Sequence, residues 1–198
     1  MATDTTSTNN GDGTLQQGSP TTNYGSQTKV AAYCYNASAP QRFVTKFTLP
    51  SGSGTITDVT LNFKSQYQGG NVGTLNVHTM TQTAWTEGGA TWNKYDGTND
   101  WTAAGGDYTG TVIDSVSTAS AGNWNILTLM GAGATNPLTI NWSDVVYLLV
   151  KVSNESNTGL EDGGEFDSKD SGTPGNRPYL EITYTTGAAF KPRTMMVY

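Results

Sequence analysis

Apolar and polar residues alternate along most of this chain, and the alternation predicts strands rather than helices. Over residues 41–49, Phe43, Thr45, Phe47 and Leu49 share one face, with Val44 and Lys46 on the other. Pro50-Ser51-Gly52-Ser53-Gly54 interrupts that run, and alternation resumes over 55–63 with Val59, Leu61 and Phe63 opposite Thr60 and Asn62. The two runs read as a hairpin or as a short connection between sheets. Leu75 and Val77 alternate with Asn76 and His78 over 73–80, and further strands are expected over 110–117 and 123–130. Val145 to Val152 is almost continuously apolar, so this strand should be covered on both faces. The last run, 178–184, turns Leu180, Ile182 and Tyr184 inward and Glu181 and Thr183 outward. No segment carries a helical stripe. Residues 131–144 hold at most a short turn, with Ser143 or Asp144 near a capping position.

Many short strands between glycine-rich turns predict an all-β fold, a jelly-roll-like antiparallel β-sandwich. Composition agrees: 24 glycines and only 13% charged residues in 198 are poor material for helices. A formal net charge of −6 argues against a nucleic-acid partner, which would need the opposite balance. Cys34 is the single cysteine, so an intrachain disulfide or a cysteine-based zinc site is excluded and a buried free thiol is expected. His78 is the single histidine. No apolar run is long enough for a membrane helix, and Met1-Ala2-Thr3-Asp4-Thr5-Thr6 lacks the basic and hydrophobic regions of a signal peptide. Synthesis without a leader is therefore the expectation.

The two ends differ from the middle. Residues 1–19 are almost wholly Thr, Asn, Gly, Gln and Ser, and read as an extended polar arm. Residues 186–198 are basic and end apolar, and Phe190, Lys191, Arg193, Met195, Met196 and Tyr198 are candidates for contacts with a neighbouring subunit. The expected plan is one sandwich domain over 20–185 between two extended arms.

Periodicity explains nothing in residues 83–107, where Thr83-Ala84-Trp85-Thr86-Glu87-Gly88-Gly89-Ala90-Thr91-Trp92-Asn93 leads through Trp101 to Gly105-Gly106-Asp107. Two tryptophans across a Gly-Gly bend describe an ordered irregular loop. Three further landmarks stand in order with it: Pro20-Thr21-Thr22-Asn23-Tyr24-Gly25, Arg42-Phe43-Val44-Thr45-Lys46-Phe47, and Phe166-Asp167-Ser168-Lys169-Asp170 before Arg177-Pro178-Tyr179-Leu180. Together they resemble the DNRLRE domain family, the disaggregatase-related repeat also classed among carbohydrate-binding modules, over about residues 12–184. The resemblance implies a β-sandwich module without catalytic machinery.

The residues themselves allow several roles. Asn23 and Gly25 suit a turn that needs positive φ or side-chain capping. Glu87 and Asn93 are expected to satisfy backbone donors in the loop, and Arg177 to pair with Asp170 or Glu87. Trp85, Trp92 and Trp101 either pack the loop onto the sandwich or stack against sugar rings, and Trp124 and Trp142 join them as possible stacking residues. The acidic run Glu161-Asp162-Gly163-Gly164-Glu165 is either a solvated turn or an oxygen-rich site for a structural calcium. No nucleophile elbow, phosphate loop or His-Glu metal pair points to an enzyme.

Two functions follow. The first is a non-catalytic structural protein of a virion or extracellular assembly (capsid decoration, head fibre or tail-associated) that holds other copies of itself or capsid and tail proteins through its arms. The second is a carbohydrate-binding module that presents aromatic residues to a polysaccharide.

Overall fold

The computed structural model describes residues 2–35, 39–156 and 161–186, with side chains from Thr5 onward. They form ten strands. The first five are β1 (Ala2–Gln16), β2 (Lys29–Cys34), β3 (Gln41–Thr48), β4 (Thr55–Gln68) and β5 (Thr74–Thr79). The others are β6 (Asp114–Ser117), β7 (Trp124–Met130), β8 (Val145–Val152), β9 (Asp162–Asp167) and β10 (Tyr179–Thr185). A single 3-10 turn, Pro174–Asn176, precedes β10. The expected all-β antiparallel sandwich is the fold of this chain.

The first layer sets β7, the first part of β4, β10 and residues 2–8 of β1 side by side. The second runs β6–β5–β8–β3 and then takes residues 9–16 of β1. β2, β9 and the end of β4 complete it, with β2 reaching β3 through the Tyr33–Gln41 pair. β1 and β4 belong to both layers, and each changes layer where its register shifts, at Asn9–Gly11 and at Ser65–Tyr67. Such irregularities bend a strand enough to make a corner between stacked sheets. The sheet thereby closes on itself as a barrel-like circuit through β1, β10, β4, β9, β2 and β3.

The core between the layers takes the inward residues the alternation picked out: Phe43, Phe47, Val59, Leu61, Phe63, Leu75, Val77, Leu180 and Ile182. Phe63 meets Phe166 edge-on at 4.8 Å and Phe43 at 5.3 Å, the geometry aromatic quadrupoles prefer. β8 is covered on both faces as its apolar run requires: Leu148, Val150 and Val152 enter this core, and Leu149 enters a second cluster on the far side of the sheet. Residues 49–54 connect the two layers, because β3 and β4 do not pair. Cys34 is buried. His78 is buried too, with Nδ1 3.0 Å from the carbonyl oxygens of both Thr109 and Thr111, and burial pushes its pKa down.

Two sequence expectations are overturned here. Most of the stretch expected as an extended polar arm over 1–19 is a strand of its own domain, since residues 2–16 are β1, paired to β10 and β3. Strand pairing needs backbone groups, not apolar side chains, and threonine suits a pleated strand. A few inward residues suffice: Leu15 is fully enclosed, and the Ser7 hydroxyl donates to the Thr48 carbonyl at 2.6 Å. The acidic run 161–165 is not a loop either; all but Glu161 lies in β9. Its paired glycines hid the strand, and one of them, Gly163, has φ +87° where a Cβ would lie 2.1 Å from the Ala32 carbonyl oxygen. In the C-terminal stretch, Phe190, Lys191, Arg193, Met195, Met196 and Tyr198 lie outside the described residues.

Candidate functional site

The tryptophan loop covers the outer face of the second layer, where Leu15 of β1, Val44 of β3 and Leu149 of β8 would otherwise meet water. Trp85, Trp92 and Trp101 pack on them with Met80 and Ala90. All three indoles are enclosed, at 1%, 7% and 4% exposure, so they hold the loop and offer no open platform to a sugar. The cause is arithmetic of surface: an apolar sheet face must be covered, and the loop brings the largest side chains available. Trp101 Nε1 donates to the Thr91 carbonyl at 2.9 Å. The Arg42 guanidinium lies 4.9 Å over Trp92, and Lys46 Nζ lies 4.6 Å over Trp85.

Asn23 fastens the loop from outside. Its Nδ2 donates to the carbonyls of Glu87 and Ala90, each at 2.7 Å. Gly25 is required by contact rather than by φ, because a Cβ there would stand 2.1 Å from the Glu87 carbonyl oxygen. Gly25→Ala is expected to destabilise the fold by about 1–3 kcal/mol through that overlap. Urea denaturation checks this, and an unchanged midpoint would mean that the turn yields freely.

Glu87 accepts a backbone donor, but from β1 rather than within its own loop as expected. Its Oε1 accepts the Asp12 backbone N–H at 3.0 Å, and its Oε2 lies 3.2 Å from Lys169 Nζ. Lys169 also reaches Asp170 at 2.9 Å, and these carboxylate contacts, Asp170 first, hold its ammonium charged to higher pH than usual. Asp12 is almost fully buried, and its Oδ2 accepts the Lys169 N–H and an Asn9 Nδ2 donor, both at 2.8 Å. Burial pushes the Asp12 carboxyl up to about 7, with Glu87 adding to the effect and Lys169 opposing it. Arg177 does not pair with Asp170 or Glu87. Its Nε and Nη2 both donate to the Ser171 carbonyl, at 3.0 and 2.9 Å, and so close the 171–177 turn. Asn93 acts through its backbone, donating to Pro20 and accepting from Trp101, both at 3.1 Å.

This hub forms one wall of a groove of about 600 Å3 that opens on the outer face of the first layer. Thr6 and Thr8 of β1 and Tyr179 of β10 form its floor, and Lys169, Asp170, Pro174 and Arg177 its rim. The floor follows from register. Thr8, Tyr179, Asn62 and Ile126 stand in one row across four strands, one step from the inward row of Leu180, Leu61 and Leu127. Tyr179 and Trp124 are both half-buried and meet edge-on at 5.4 Å. Lys64, opposite Trp124, donates to Asn176 Oδ1 at 2.9 Å and ties the face to the rim.

The model of carbohydrate-binding module family 96 matches residues 3–184. The chain belongs to that family. The match takes in β1, in keeping with its place inside the fold, and agrees at the level of module class with the likeness seen in the motifs. No curated protein matches this family 96 module.

The other site candidates disperse in the module. Glu161 accepts from the Tyr67 hydroxyl, and Glu165 pairs with Lys29 at 2.9 Å. Asp162 stands in β9 opposite Cys34. Among the described residues no group of three His, Cys, Asp or Glu side chains converges as a metal site, so the calcium expectation has no cage. Trp142 is half-buried, lying over Gly52 with Nε1 donating to the Gly54 carbonyl at 3.0 Å. Sequence reasoning placed Tyr179 within the last strand and a closing motif, but not among the site residues. Its alternation with Leu180 and Ile182 already marked it as outward-facing.

Proposed function

We propose that this family 96 module is a non-catalytic binder that holds a polysaccharide in the groove over Tyr179. The observation that carries the reading is the groove's make-up: an aromatic floor beside cationic, carboxylate and hydroxyl groups. A sugar ring has an apolar C–H face that packs on an aromatic side chain and an equator of hydroxyls that bonds to polar rims. Asp170 is the groove's single carboxylate and is tied to Lys169, whereas glycoside cleavage ordinarily needs two carboxylates flanking the bond. Family membership supports the same reading. Such a partner is met outside the cell, and we place the module there. The assembly reading drew in part on terminal arms held by neighbouring subunits, and residues 2–16 of the first pair within the domain as β1.

Affinity electrophoresis against a panel of neutral and acidic soluble polysaccharides tests the proposal. At least one polymer should retard the module, and Tyr179→Ala should weaken that retardation at least tenfold, with melting temperature as the control for folding. Retardation by none, or equal retardation of the variant, would sink it.

A further inference from the structure

Among the described residues, a packed loop covers the outer face of the second layer at one end. The tryptophan loop closes the part built from β1, β3 and β8, whereas among the described residues the part built from β2, β9 and the end of β4 keeps Lys29 and Tyr67 exposed and Tyr33 and Glu165 half-exposed. Val30, Ala32, Cys34 and Phe166 point into the core, so their neighbours Lys29, Ala31, Tyr33 and Glu165 point out. Tyr67 pairs with Glu165 and stands on the same face.

Tyrosines gather there. Tyr33 and Tyr67 lie 6.4 Å apart with planes tilted by 56°. Tyr35, two residues beyond Tyr33, is 52% exposed, Tyr67 is 41% exposed and Val72 is 64% exposed. The hydroxyls of Tyr67 and Tyr33 both donate to the Glu161 carboxylate, which holds it below the usual carboxylate range and fixes the two rings. Beside them lies a polar groove of about 250 Å3 bounded by Thr14, Gln16, Tyr24, Lys29, Gln41 and Glu165. None of these residues serves the Tyr179 groove.

We infer that this tyrosine face is a second glycan-contact surface, on the opposite side of the sandwich, that takes an uncharged sugar chain. Pre-fixed aromatic rings lose little freedom when a sugar packs on them, and the adjoining amides, hydroxyls and Lys29–Glu165 pair match a ring's equatorial hydroxyls. Charge decides the class. Glu161 and Glu165 stand on this face and Asp162 beside it, against the single cation Lys29 among the residues named, so a uronic or sulfated sugar would meet like charge. The inference rests on the module being a glycan binder. Two surfaces on opposite sides would let one copy bridge two polysaccharide strands.

Isothermal titration with cellohexaose, xylohexaose, mannohexaose and laminarihexaose tests it, using the full chain, Tyr179→Ala, Tyr35→Ala and the Tyr35→Ala/Tyr67→Ala double variant. At least one neutral hexasaccharide should bind Tyr179→Ala. The same sugar should bind the double variant at least tenfold more weakly at that surface, and Tyr35→Ala about threefold more weakly. Tyr35 lies beyond the end of β2 and half in water, so its removal leaves the fold intact. Binding by no neutral sugar, or binding unaltered in both tyrosine variants, overturns the inference. Failure of the Tyr179 proposal reads differently: Tyr179→Ala would then bind every polymer as the parent does.

Discussion

Glu155→Ala is expected to destabilise the module by about 3–5 kcal/mol, the usual cost of stranding buried charge. Arg42 grips Glu155 in a two-pronged contact, Nε to Oε1 at 2.7 Å and Nη2 to Oε2 at 2.8 Å. Lys151 Nζ approaches Oε2 at 3.0 Å. All three side chains are largely withdrawn from water, at 12–16% exposure. Burial by itself would raise the Glu155 carboxyl, but Arg42 and Lys151 outweigh it and hold the group below its usual range. Arg42 also donates Nη1 to the Gly105 carbonyl at 2.8 Å and lies over Trp92. Removing Glu155 therefore leaves two cations without their counter-charge and loosens the seat of the tryptophan loop. Urea unfolding in 0.5 M salt separates this from a surface effect, since salt screens an exposed pair and barely touches an enclosed one. A loss under about 1 kcal/mol would show that water reaches the triad.

The second large effect depends on pH. Asp12 holds its proton up to about pH 7 in the fold, against 3.8 for the ordinary group, so unfolding releases a proton between those values. The stabilisation it lends is full below pH 3.8 and gone above pH 7. Its span is on the order of 4 kcal/mol. Asp12→Asn keeps an oxygen for the Lys169 N–H and cannot ionise. Its melting temperature relative to the parent should rise by roughly 10 °C between pH 4 and pH 8.5. Thermal melts of both proteins across that range decide it, and parallel curves would show that Asp12 is not the titrating group.

Much of the fold was legible where side chains alone decide it. The faces of β3 and β10 follow from alternation, and the double cover of β8 from an unbroken apolar run. β1 and β9 escaped because their support is backbone pairing, which leaves little mark on a sequence rich in threonine or glycine. The tryptophan loop was visible as an ordered feature, but one sequence does not tell an indole that covers a sheet from one that greets a ligand. The sheet face beneath it supplies that answer, since Val44 and Leu149 need a cover. Arg42 had a motif but no partner, because Glu155 lies far along the chain, and Lys169 took the bridging role assigned to Arg177.

In the antiparallel pairing of β1 with β10, Ala2 lies opposite Thr185. The polypeptide therefore enters and leaves the sandwich side by side, as through one doorway. Any tether spliced to both ends would carry the module as a pendant, without having to span its length. Tension along that tether would load the β1–β10 hydrogen bonds one after another, like a zipper, and the Ala2–Thr185 end would part first.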